Sequence, residues 1–349
     1  MRGISTTVAF VLLLLLGIAA SGGFYLYINR MQSRILTKGS EIMVDAEIPP
    51  KLVSLICRKS VGYAYVSSDE NLIGKLRYEV RDDSQDLVDS GLIDVSVNGT
   101  GRIYFPMPDD ASGWYWIAVE NDNWRLFDKC KVRADQTLKV WLKLDEGSGT
   151  TAGDSSGNGN NGTVHGATWT TGKSGYALSF DGTDDYVWID NSSSNSINGS
   201  LSVSAWVKLD SWTDWARILA KGNYSASPAT HNYLLILDEE EGSIGFRFAN
   251  QTGIEEGVYS SQCGSDPLSV GSWHHVVGVF NGTHATLYVD GTSVCSRAVE
   301  GRPTDYGDPL YVGTQGTLGY LNGTVDDVRV YSRALDSYEV KALYEAHSG

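Results

Sequence analysis

The hydrophobic pattern changes character three times along the chain. From Val8 to Ile28 no position is charged, and apolar residues follow one another without a polar phase. A helix of that length spans roughly the 30 Å hydrocarbon layer of a bilayer. Residues 29–42 mix polar and apolar positions and predict two or three further turns before Gly39, and Pro49-Pro50 then blocks continuation. Between Lys51 and Val132 the pattern is strand-like. Val61–Val66, Leu76–Val80, Leu92–Val97, Gly101–Phe105 and Trp114–Val119 are short β-rich runs, separated by polar turns such as Ser67–Asn71 and Asp109–Gly113. Strands at this spacing predict a small sandwich.

The third pattern is strict alternation. In Leu201–Leu209, Leu201, Val203, Ala205 and Val207 alternate with Ser202, Ser204, Trp206 and Lys208, the period-2 signature of a half-buried strand. Leu234–Leu237, Ile244–Ala249, Val276–Phe280, Ala285–Val289 and Leu310–Val312 repeat the strand character, and Asn281-Gly282 is a hairpin dipeptide. One helix is predicted here, Asp336–His347, with Asp336 or Ser337 as its N-cap and Val340, Leu343 and Tyr344 as its apolar side. The fold class is mainly β. A leader occupies residues 1–3, an apolar helix and linker 4–45, a small β-sandwich head 46–135, and a second, larger β-sandwich with a short C-terminal helix 137–349.

Composition narrows the partners. The 349 residues carry a formal charge of -15 with no run of Lys and Arg. A nucleic acid needs a clustered basic surface to displace its counterions, so that class of partner is excluded. Cys57 and Cys130 bracket the head, while Cys263 and Cys295 fall within the last domain; one pair per domain predicts two disulfides and an oxidising compartment, with free buried thiols as the alternative. A Cys57–Cys130 bridge would tie the first strand of the head to its last. Asn-x-Ser/Thr sequons at Asn98, Asn161, Asn191, Asn198, Asn223, Asn250, Asn281 and Asn322 agree with export and offer glycosylation sites. Arg30, Arg34 and Lys38 after the apolar segment, against Arg2 before it, count the other way. The cysteines outweigh that count, and the C-terminus is expected outside the cell, in a filament or on a membrane anchor.

Three readings of the first thirty residues compete. One is a secretory signal peptide with Val8–Ile18 as its apolar region and Ala19, Ala20 and Ser21 near the cut. Another is an uncleaved membrane anchor. The third starts from Arg2-Gly3-Ile4-Ser5-Thr6-Thr7-Val8, which resembles the leader of archaeal type IV pilins and archaellins. That resemblance implies a prepilin peptidase cutting between Gly3 and Ile4, and a retained helix that sits in the membrane before assembly and then packs beside identical subunits. Phe24–Ile28 extends the apolar stretch past the small residues, as a filament-core helix requires.

In the last domain the phrases Val140–Thr150, Asp154–Thr163, Gly175–Val187, Leu201–Leu209, Trp273–Val277, Leu287–Gly291 and Val325–Leu335 occur in that order. Together they resemble the laminin-G-like, concanavalin A-like jelly-roll family over residues 137–349. The resemblance implies a jelly-roll β-sandwich, a carbohydrate or protein ligand, and a structural calcium ion that uses Asp326. Asp154, Ser156, Asn158 and Asn160 independently alternate oxygen-bearing side chains in a Gly-rich loop, as hard Ca²⁺ asks; a hydrogen-bonded turn is the alternative.

Catalysis is not expected. Glycosidases need two carboxylates flanking the scissile bond. Asp238–Glu241 reads as a solvated turn, and the adjacent pairs Asp184-Asp185 and Asp326-Asp327 would point to opposite faces of a strand, as would His274-His275. The expected ligand surface is the Ser211–Trp215 loop, with Trp212 and Trp215, followed by Asn223, Tyr224 and His231; Trp212 and Trp215 as cover for the sandwich edge is the alternative. The sequence therefore reads as a cell-surface, pilin-like subunit displaying an adhesion domain. A lectin-like protein that never polymerises is the second reading, and a polysaccharide-degrading enzyme the third.

Overall fold

A computed structural model of the chain describes residues 25–26, 51–58, 61–67, 72–97, 100–107, 114–121, 125–133, 135–223, 230–238, 242–265 and 267–347. The chain divides into two compact units, Met1–Ala134 and Asp135–Gly349. Among the described residues no helix is long and apolar enough to cross a membrane. The leader, with Gly3 and Ile4, and nearly all of the expected N-terminal helix lie outside those residues. Within that expected helix, Tyr25–Leu26 is instead extended and pairs antiparallel with Leu126 and Phe127.

In the first unit every predicted run is a strand. Lys51–Arg58, Val61–Ser67, Leu72–Arg81, Leu87–Val97, Thr100–Pro106, Trp114–Glu120 and Arg125–Arg133 make one continuous set of ladders. Alternation buries one side of each strand, so Val66, Leu76, Val80, Ile93, Val95, Ile103, Phe105, Ile117 and Val119 meet in a single core. The first strand runs parallel to the last, with Cys57 opposite Val132. Cys130 is buried and disulfide-bonded. Its expected partner sits on the neighbouring strand, although the Cys57 side chain lies outside the described residues.

The second unit is a two-sheet sandwich. The front sheet runs, edge to edge, through Thr151–Ala152, Gly162–His165, Tyr186–Ile189, Leu310–Val312, Arg217–Asn223, Thr230–Leu237, Ile244–Ala249 and Glu255–Tyr259. The back sheet runs through Thr168–Thr171, Tyr176–Asp181, Asn322–Tyr331, Leu201–Leu209, Trp273–Phe280, His284–Val289 and Thr292–Ala298, with Leu138–Leu142 added beside Asn322–Tyr331. Inward residues of both sheets, among them Val187, Leu219, Leu235, Phe246, Val203, Val276 and Val330, form the main core. Gly278 keeps the sheets close, since a Cβ there would lie 2.3 Å from the Phe246 ring.

The outer face of the back sheet is covered. The helix Ser337–Glu345 lays Val340 and Leu343 over Trp141, Val277, Val279 and Tyr331. Asp336 is its cap: the carboxylate accepts from the Tyr338 and Glu339 amides, and Glu339 reaches back to the Asp336 amide. Tyr344 stacks on Trp206 at 5.6 Å, beside His275. Under this cover Arg329 donates to Asp327, which also accepts from the Trp141 indole at 2.7 Å. The Asn322–Tyr331 strand carries a bulge at this point, with Asp327 at φ 47° and the register shifted between Ser204 and Trp206. The shift lets Val325 and Val328 both face the core, which strict alternation forbids.

Candidate functional site

The front sheet's outer face is different. Val164, Val187, Ile189, Leu310 and Val312 point into the core, so their neighbours His165, Tyr186, Trp188 and Tyr311 point outward. Register aligns them across three strands: His165 opposite Tyr186, and Trp188 opposite Tyr311, which in turn sits opposite Ala220. His165 stacks on Tyr186 at 4.5 Å, Tyr311 meets the edge of Tyr186 at 6.2 Å, and Trp188 lies 5.7 Å from Tyr311. Trp188 is 38% exposed, and its indole N–H donates to Asp190. The Tyr311 phenol is held above its ordinary pKa by burial first, then by Tyr186 and Asp308, and stays neutral.

The same face continues through Ala220, Leu234 and Ile236 to Tyr259. Arg247, opposite Leu234, places its guanidinium 5.6 Å from the Tyr259 ring and pairs with Glu255. Trp215 meets the edge of Tyr259 at 6.4 Å and is 37% exposed. Its backbone has φ 60°, a conformation that costs a bulky residue about 1–3 kcal/mol and that the surroundings must impose. Arg217 supplies part of that constraint by donating to the Trp215 carbonyl, while its Nε donates to Gln315. His231 is buried behind this group with neither ring nitrogen hydrogen-bonded among the described residues. Burial, then the Arg247 and Arg217 charges, lowers its pKa to about 3, so the imidazole is neutral.

The expected ligand residues therefore separate. Trp215 and His231 reach this face. Trp212 does not: it packs against the main core with its indole N–H buried, because it covers the sandwich edge. Asn223 ends its strand opposite Thr230, its side chain lies outside the described residues, and so does Tyr224. The outward row His165, Tyr186, Trp188 and Tyr311 was missed by the sequence reading, although Tyr186-Val-Trp-Ile and Leu310-Tyr-Val carried the alternation that reveals it.

The loop expected to hold calcium is brought together, but its oxygens are engaged. The Asp154 carboxylate accepts from the amides of Trp141, Ser156 and Asn160 and from the Ser156 hydroxyl. Asn158 and Asn160 donate to the Lys139 carbonyl, and the Asn160 side-chain oxygen accepts from Ser192, Ser194 and Asn195. Asp326 accepts from the Lys173 and Ser174 amides, and burial pushes its pKa up to about 7. To hold a calcium ion the Asp154 and Asn160 oxygens would have to give up these hydrogen bonds.

Asp184 and Asp185 do not diverge as adjacent strand residues would. They lie in a turn, where their carboxylates and that of Asp181 fall within 4.8 Å of one another, and Asp185 accepts from the Asp181 amide. His274 and His275 do separate: His275 lies under the helix, while His274 links two turns. Its Nδ1 bonds Asp290 at 2.9 Å, and its Nε2 meets both the amide and the hydroxyl of Ser269. An Nε2 that already accepts from a backbone amide is a tether between loops, not a base poised on a nucleophile. Asp238 is buried and accepts from Ser243 and Ser261, so it is not solvated; Glu239–Glu241 lie outside the described residues. The Cys263–Cys295 disulfide is formed as expected. Among the sequons Asn161, Asn191, Asn198 and Asn281 are exposed, whereas Asn250 is buried with its oxygen capping Thr252 and Ile254. Asn98 and its turn lie outside the described residues.

Residues 181–341 match the laminin-G-type family described as the concanavalin A-like lectin/glucanases superfamily. No curated protein matches the sequence. Solved structures similar to the chain include the binding domain of Paraclostridial Mosquitocidal Protein 1, at 19% identity and TM-score 0.49, covering 61% of this chain and 52% of that one. Domain 4 of AbnA, an extracellular arabinanase from Geobacillus stearothermophilus solved with arabinotriose, is 18% identical at TM-score 0.49, covering 60% of this chain and 98% of that one. The binding domain of botulinum neurotoxin serotype D is 16% identical at TM-score 0.44, covering 60% of this chain and 52% of that one. The chain thus spans about half the length of the two toxin binding domains. Over residues 181–341 this chain carries a laminin-G-type jelly roll of the concanavalin A-like superfamily.

Proposed function

We propose that the C-terminal unit is a glycan-binding module, not an enzyme, and that its ligand lies on the front sheet's outer face. One observation carries the reading: one outer face is closed by the C-terminal helix, and the other carries a row of aromatic rings in which His165 and Trp188 are exposed. Aromatic faces pack against the C–H faces of sugar rings while Tyr hydroxyls and neighbouring amides bond the hydroxyls. The test is a glycan array probed with the full chain and with Trp188→Ala. Binding that is lost in the variant supports the site; binding that survives moves the ligand elsewhere.

The cell-surface setting rests on the sequence. We propose display on a pilin-like filament built from identical N-terminal helices, with a membrane-anchored or secreted lectin as the alternative. The Arg2–Val8 leader motif and the long apolar stretch behind it support this reading. Mass spectrometry of the native N-terminus decides it. A start at Ile4 means prepilin-type cleavage, and a start near Gly22 to Phe24 means secretion without a filament.

A further inference from the structure

We propose that the C-terminal unit cross-links itself covalently, through an isopeptide bond between the Lys221 amine and the Asn191 side-chain carbonyl. This is independent of what the front sheet binds. Register brings the two groups together. Ile189, Leu310 and Lys221 are aligned across three adjacent strands, and Asn191 follows Ile189 by two residues. Lys221 shares the parity of Leu219, a core position, and its side chain is fully buried. Its Nζ donates to Asn191 Oδ1 at 2.7 Å and to the Asp308 carbonyl at 2.7 Å, with Asp305 Oδ1 3.4 Å away. With a C=O bond of about 1.23 Å behind that oxygen, the Asn191 carbonyl carbon lies about 3–4 Å from Nζ, close to attacking distance. Rotation of the amide about its Cβ–Cγ bond presents the carbon to the nitrogen.

The surroundings supply what the reaction needs. Burial holds the Lys221 ammonium below its ordinary pKa, against the opposing charges of Asp305 and Asp308. That raises the share of neutral amine, the form with an attacking lone pair. The lone pair adds to Asn191 Cγ, and the charge developing on Oδ1 meets the Ser196 hydroxyl, which already donates to it at 3.3 Å. The Cγ–Nδ2 bond then breaks, its electrons leaving with Nδ2. Asp305 takes one proton from Nζ and hands it to Nδ2, which departs as ammonia. Its Oδ1 is buried with no well-aligned hydrogen bond among the described residues, so it can accept that proton. Asn191 is exposed, so the ammonia escapes to solvent. One amide replaces another, and no oxidant or cofactor is consumed. A sequon glycan would occupy the nitrogen that is lost, so cross-linking and glycosylation at Asn191 exclude each other.

The experiment is tryptic peptide mapping of the full chain by mass spectrometry. The expected result is a branched peptide joining residues 174–208 to 218–247, uncut after Lys221 and lighter by one ammonia than the two segments together. Asn191→Ala and Asp305→Asn should each release the segments unjoined, with trypsin now cutting after Lys221. Unjoined segments from the native chain would overturn the proposal. So would a glycan on Asn191, or an ammonia loss confined to 174–208, which marks cyclisation of an asparagine on its own backbone.

Discussion

The two outer faces of the jelly roll carry similar aromatic residues and use them in opposite ways. On the back sheet Trp141 and Trp206 lie beneath Tyr344 and the C-terminal helix, fully buried beside an Arg329–Asp327 pair. On the front sheet Trp188 and Trp215 point into solvent. An outward tryptophan on a strand is therefore no sign of a ligand by itself. What covers it decides whether it contributes to stability or to recognition.

The largest expected effect breaks the covered face. Arg329→Ala leaves Asp327 buried without its cation and should cost about 3–5 kcal/mol in denaturant unfolding. Trp188→Ala on the open face should cost under about 1 kcal/mol by the same measurement. Comparable losses for the two would show the faces to be equally structural.

Acid is the next probe, because each face buries one histidine. The pKa values of His231 and His275 are both lowered to about 3, in each case by burial first. A base depressed in the folded state contributes stability above its unfolded pKa of about 6.5 that is lost as pH falls toward 3. At pH 4 each histidine should account for up to about 3 kcal/mol of that loss. Asp326 acts in the opposite direction, since its raised pKa favours the folded state as it protonates below about 7. Comparing His231→Gln and His275→Gln with the native chain between pH 7 and pH 4 isolates each one. A slope unchanged by either variant would refute its buried neutral state.

Binding energy comes third. Loss of the Trp188 ring should weaken glycan affinity by about 1–2 kcal/mol, roughly 5- to 30-fold, in titration calorimetry. The smallest effect expected is that of calcium. With Asp154 and Asn160 saturated by hydrogen bonds, millimolar calcium should leave the melting temperature unchanged. A clear rise would point to a bound cation, with Asp154→Ala and Asp184→Ala separating the loop from the Asp181–Asp184–Asp185 turn.

Most strands were legible from period-2 alternation, although Leu201–Leu209, read as half-buried, is buried on both faces because Tyr344 of the C-terminal helix covers Trp206 on its outer side. The helix and its Asp336 cap were legible for the same local reasons. The open face was harder to read. Tyr186-Val-Trp-Ile shows two aromatic positions of one parity, yet nothing local says that parity faces solvent. That depends on which sheet the distant helix Ser337–Glu345 covers. The bulge at Asp327 did leave a trace: Val325, Val328 and Val330 are out of step with a period of two, and only an extra residue reconciles them. Asp184 and Asp185 were misjudged by treating a turn as a strand. Trp212 and Trp215, three residues apart in one loop, diverge because the chain turns through a positive φ at Trp215.

The Cys263–Cys295 bond has a mechanical consequence. It joins the turn after the last front-sheet strand to the last strand of the back sheet, closing the open edge of the sandwich. Tension applied along the chain would cross from Cys263 to Cys295 through the covalent bond and bypass the strands Trp273–Phe280 and His284–Val289. The segment between the cysteines, a sequence separation of 32 or about 110 Å of extended chain, cannot be drawn out under load. A ligand tugging on this domain would meet a shorter tether than the sequence length implies, and two central back-sheet strands would stay slack while the rest bears the force.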